Sequence, residues 1–138
     1  MAIKYATEAR NDTGGNGTSR VIDGMEVAVS SPLSATPDAD ATNPEQLLAL
    51  AWATCLNSTA QAIVERAKRT SVRVTIELHD LLPDVGYVFE VDAYLSVEGA
   101  DLDETERVLA AAHARCPVSK LLHAATTVRV HAEAFDAK

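Results

Sequence analysis

Aromatic side chains are scarce in this sequence: one Trp, three Tyr and two Phe, 4% of 138 residues. Any core must therefore be filled mainly by Ala, Leu and Val. Positive charge is also short. Twelve Lys and Arg stand against twenty Asp and Glu, a net charge of −8. Nucleic acid and anionic membrane both call for a basic face, so this balance speaks against either as a partner. No stretch approaches the roughly 18 apolar residues needed to cross a bilayer. Residues 1–5 hold no apolar segment of a secretory leader. A cytoplasmic location is the resulting expectation. Cysteine is rare as well: only Cys55 and Cys116. In a reducing compartment two thiols are a poor structural staple. Spare core residues, metal ligands and redox groups all remain open on count alone.

What is present is the balance of an ordinary globular protein, 47% apolar and 23% charged. The length suits one domain spanning 1–138. Ile3, Tyr5 and a stretch near Val21 read as extended, with a Gly- and Asn-rich loop over 11–18 between them. Asp23-Gly24 marks a tight turn. Met25, Val27 and Val29 then alternate with polar or small residues. Residues 31–42 contain two prolines among small and polar residues, an exposed connector. Asn43 (N-cap), Pro44 (first position) and Gln46 (capping box) open a long helix predicted to reach about Arg69. Its first half, Leu47 to Leu56, is apolar on nearly every face, and such a helix expects burial all round.

Two strands follow. Val72, Val74, Ile76 and Leu78 alternate with polar residues, as do Phe89, Val91, Ala93, Leu95 and Val97, with a turn over 83–86. A second helix is expected to start at Asp103 with Glu106 completing a capping box. It ends at Cys116, because the residue before Pro117 is pushed out of the helical region. A short turn over 117–122 precedes a last strand with Val128 and Val130. The order is that of an α+β fold. One protomer has a single sheet to cover a helix apolar all round, so a homodimer enclosing two long helices is expected.

A thiol at a helix N-terminus gains thiolate character from unpaired N–H groups, which favours Cys116. Cys55 lies about three turns into an apolar helix, where burial raises a thiol pKa. Trp52, one turn before Cys55, reads as packing rather than a substrate wall. His79 and His131 fall on polar strand faces and read as solvated. His113 and Cys116 have a metal-pair spacing, but two ligands are too few for zinc, and neither a metal nor a cofactor is expected.

The run Asn43-Pro44-Glu45-Gln46-Leu47-Leu48-Ala49 with Trp52-Ala53-Thr54-Cys55 resembles the first signature of the OsmC/Ohr peroxidases. The run His113-Ala114-Arg115-Cys116-Pro117-Val118-Ser119-Lys120 resembles the second. Spacing, length and element order agree over essentially the whole chain. The resemblance implies antiparallel sheets wrapped around two long central helices in an intertwined homodimer. It also implies that Cys55 is the peroxidatic cysteine, oxidised to a sulfenic acid by organic hydroperoxides and less well by hydrogen peroxide. Cys116 would resolve it as an intramolecular disulfide, reduced by an external dithiol, in the Ohr branch typically a dihydrolipoyl protein. Glu45 matches the glutamate that orients a catalytic arginine. Ten helical residues span about 15 Å, so Glu45 would serve the Cys55 of the partner. In the Ohr branch the arginine follows Gly-Gly in the N-terminal loop, but here Asn16 follows Gly14-Gly15; the OsmC branch places it before the Asn-Pro-Glu motif, but residues 31–42 hold none, and Arg20 is the nearest substitute. That departure sustains a second class of reading, a non-catalytic redox-sensing or small-molecule-binding member.

Overall fold

The computed structural model describes residues 1–136, and the chain divides into two compact units, one of residues 1–47 and one that begins at Leu48. The first holds an antiparallel sheet of three strands: β1 (Ala9–Asn11), β2 (Gly17–Val21) and β3 (Glu26–Val29). The expected Gly-rich loop joins β1 to β2. Asn11 ties it by accepting from the Gly14 N–H at 2.7 Å and donating to Ser19 Oγ at 2.9 Å. The turn at Asp23-Gly24 closes through a 2.8 Å bond from the Val21 N–H to the Met25 carbonyl, with Asp23 at φ 58°. Ile3 and Tyr5 do not form a strand. They lie outside any ladder and are exposed, and pairing begins at Ala9. The connector is mostly exposed, but its end returns to β3: Thr42 exchanges backbone hydrogen bonds with Ala28 and Ser30.

Helix α1 (Pro44–Ile63) opens as its residues predict. Asn43 Oδ1 accepts from the Gln46 N–H at 2.8 Å, while the Gln46 side chain reaches Thr42 Oγ1 instead of closing a capping box. The helix stops six residues before Arg69. Glu65 and Arg66 take left-handed conformations (φ 54° and 57°), and the turn bonds back to Ala60, Gln61 and Ala62. The physical reason is the start of the next strand, where Thr70 Oγ1 donates to Asn57 Oδ1 at 2.7 Å and so requires the chain to fold back beside α1.

The second unit is a sheet of β4 (Thr70–Asp80), β5 (Tyr87–Val97) and β6 (Val128–Ala132), in the order β4-β5-β6. The β4–β5 hairpin has the predicted alternation, with Val91, Ala93, Leu95 and Val97 buried. The expectation of purely antiparallel sheets fails at β6, which runs parallel to β5. A parallel neighbour needs a crossover, and α2 (Leu102–Arg115) and α3 (Pro117–Leu122) supply it. The cap of α2 is Asp101, two residues before the expected Asp103. Its carboxylate accepts from the Glu104 N–H at 2.8 Å. The core joins Trp52, Leu56 and Ala60 of α1 to β5 and to Val108, Leu109 and Ala112 of α2. Burial all round α1 is not met within one protomer, since Leu50 is 64% exposed.

Candidate functional site

Cys55 and Cys116 come together in the second unit as electrostatic neighbours. Cys55 is carried by α1, one turn past buried Trp52 and next to buried Leu56. Cys116 is wholly buried and occupies the single extended residue between two helices, C-cap of α2 and N-cap of α3. Pro117 fixes that geometry: it cannot continue α2, but its φ suits the first position of α3. Both cysteines are free thiols, and Cys55 is the more exposed of the two.

The first turn of α3 serves both sulfurs. The Ser119 N–H donates to Cys116 Sγ at 3.5 Å, and the backbone N–H of Val118 lies where it favours the Cys55 thiolate. Burial pushes the Cys55 thiol up from its ordinary value, the Val118 N–H acts against that rise, and the neighbouring Cys116 adds to it. The expected effect of apolar surroundings is therefore present. What the sequence reading missed is Val118. The Cys-Pro pair signalled a helix N-terminus for Cys116 itself, but no spacing shows that the same turn faces a thiol on another helix.

Trp52 is fully buried, and its Nε1–H donates to Ser119 Oγ at 2.9 Å, so it packs as expected and also joins α1 to α3. His113 lies obliquely against Trp52, ring centroids 6.4 Å apart. Desolvation lowers its pKa, and its Nδ1 is buried without a hydrogen bond. No cluster of three or more potential metal ligands occurs among the described residues. His79 is exposed and bonded to Glu77, whereas His131 is not simply solvated. It reaches Asp92 at 2.7 Å and stacks on Tyr94. Glu45 lies in the first turn of α1, half-buried. The helix is unbroken from there to Cys55, which leaves about 15 Å along the axis between them. Arg20 is exposed on β2, in register with Glu26.

The family model described as OsmC-like protein matches residues 37–131. The chain belongs to the OsmC family. It is 32% identical over 127 residues to the organic hydroperoxide resistance protein-like protein of Mycoplasma pneumoniae, a match covering 88% of this chain and 89% of that one. The crystal structure of a Lactobacillus casei protein superposes with a TM-score of 0.86 at 33% identity, over 99% of this chain and 95% of the other. The organic hydroperoxide resistance protein OsmC of Legionella pneumophila superposes with a TM-score of 0.82 at 26% identity, over 98% and 100%. The mixed α+β fold with two sheets is thus the OsmC fold. The part of the chain matched to the OsmC family contains Glu45, Cys55 and Cys116, and Arg20 lies outside it. No helix among the described residues is long and apolar enough to cross a membrane.

Proposed function

We propose that this chain is a thiol-dependent peroxidase that reduces organic hydroperoxides, and hydrogen peroxide less well. The observation that carries the reading is the contact between Cys55 and Cys116, with Cys55 as the sulfur a substrate can reach. The Cys55 thiolate attacks the outer peroxide oxygen. The O–O bond breaks, an alcohol leaves after taking up a proton, and Cys55 becomes a sulfenic acid. Cys116 then attacks that sulfur, water departs, and an intramolecular disulfide forms. An external dithiol, possessing the chemistry of a dihydrolipoyl group, restores both thiols by exchange. The apolar core beside Cys55 suits a substrate with a hydrocarbon tail, whose burial supplies binding energy. Arg20 is the cation assigned to the thiolate and Glu45 the carboxylate that orients it. Because Glu45 stands far along α1 from its own Cys55, it acts on the Cys55 of a second copy in a cytoplasmic homodimer. A solution mass equal to one chain would remove that part of the proposal.

The test is stopped-flow oxidation of the reduced protein by cumene hydroperoxide, with the disulfide read by mass spectrometry. Oxidation far faster than that of free cysteine, ending in a Cys55–Cys116 disulfide, is expected. A rate close to that of free cysteine overturns the reading. It would favour a non-catalytic redox-sensing or small-molecule-binding role, to which the upward push of burial on the Cys55 thiol lends support.

A further inference from the structure

The Trp52–Ser119 hydrogen bond stands outside the chemistry just described, yet it sits symmetrically about it. Trp52 is three residues before Cys55 on α1, and Ser119 is three residues after Cys116 at the start of α3. One helical turn therefore separates each bonding partner from one of the two sulfurs. Both partners are wholly buried, and the bond spans 67 residues of sequence. An indole N–H in an apolar core needs an acceptor, and here the acceptor is a side chain of the turn that faces the thiols.

Among the described residues the other hydrogen bond tying the start of α3 to a neighbouring element runs from the Cys116 N–H to the Ala112 carbonyl of α2, at 2.8 Å, and it does not hold the turn against α1. Helix α3 has six residues, and Leu121 on it is 81% exposed. Val118 and Leu122 pack against the core, but apolar contacts are non-directional and tolerate small rotations that a hydrogen bond does not. A rotation of α3 would carry the Val118 N–H away from Cys55 and the Ser119 N–H away from Cys116.

We propose that the buried Trp52–Ser119 bond is a positioning clamp that holds the first turn of α3 in the orientation in which two successive backbone N–H groups meet the two sulfurs. Trp52 and Ser119 are positioning residues, acting on Cys55 through Val118. The groups packed around the clamp are Cys55, Cys116 and the imidazole of His113 against Trp52. The inference extends the peroxidase reading, but it can be tested without peroxide.

The protein has a single Trp, so its indole N–H gives one resonance and its fluorescence one source. Ser119→Ala removes the acceptor, and Trp52→Phe removes the donor while keeping a buried ring. Alkylation of Cys55 by iodoacetamide, followed across pH by peptide mass spectrometry, reports its thiolate directly. In Ser119→Ala the indole resonance should shift. The alkylation rate at neutral pH should fall about three- to tenfold, while the limiting rate at high pH stays that of the parent. Such a split marks a lost charge-stabilising contact, since a half-unit to one-unit rise in pKa gives that factor. General loosening would raise the limiting rate instead. Trp52→Phe should shift the profile in the same direction, and Ser119→Thr, which keeps the hydroxyl, should restore it. A parental profile in Ser119→Ala with a displaced indole resonance overturns the clamp. So does a Trp52→Phe variant that folds with the parental midpoint. A parent that fails to turn over peroxide leaves these alkylation outcomes fully decisive, so the two proposals fail separately.

Discussion

At the scale of single residues, the proposed chemistry turns on the thiolate population of Cys55. Burial works against it, and one backbone N–H from Val118 works for it. A single amide is a partial charge, and a guanidinium is a whole one, so the second stabilises a thiolate more strongly at the same distance. If Arg20 supplies that charge, Arg20→Ala should lower the rate of Cys55 oxidation by about tenfold or more, since each pKa unit is tenfold in thiolate. Stopped-flow kinetics at neutral pH measures this, and an unchanged rate removes Arg20 from the site. The two sulfurs themselves were legible from their flanking residues. Val118 and Ser119 were not, because their contribution lies in the direction of backbone N–H groups, and that follows from how α3 docks rather than from which side chains it carries.

Among elements, the hairpin of β4 and β5 was readable because half-buried strands write their two faces into an alternating sequence. The direction of β6 was not, since alternation looks the same in parallel and antiparallel partners. The start of α1 was readable from Asn43, and its end was not. Residues 64–69 contain no Gly or Pro, and the left-handed turn at Glu65 and Arg66 answers to the Asn57–Thr70 bond, a constraint from outside the helix. Asp101 and Asp103 both have cap chemistry, and the extended backbone at Asp101 (ψ 174°) decides between them. The cap of α1 gives a direct expectation. Asn43→Ala should cost about 1 kcal/mol, because the Gln46 N–H loses its acceptor. Urea unfolding should show a lower midpoint with an unchanged slope.

For the whole molecule, the outer face of the β4-β5-β6 sheet carries an ion-pair network that sets acid stability. Arg129 grips Asp92 with two bonds at 2.9 Å and Glu90 at 3.0 Å, and Arg73 holds Glu133 with two at 2.8 Å. Arg129 and His131 together hold the Asp92 carboxyl down to about 2. Its folded pKa lies below the unfolded value of roughly 3.9, so its contribution is fully present above about pH 4. That contribution is lost as pH falls through about 2. His113 acts earlier: its depressed pKa means that stability declines as pH drops below the ordinary histidine value of about 6.5. Equilibrium unfolding at a series of pH values should therefore show two stages of loss. Asp92→Asn should flatten only the more acidic one, and a variant that keeps the full acidic decline would contradict the assignment.

The parallel course of β6 also bears on when the site comes into being. A chain made from its N-terminus completes α1, with Cys55, and the β4–β5 hairpin first. Cys116 then emerges on the return path across the sheet, a path that ends where Val128 to Ala132 lie beside β5. Newly made Cys55 thus spends the time of synthesis without its partner sulfur and without the amide of Val118. The two sulfurs become neighbours only after some sixty further residues of chain have followed Cys55.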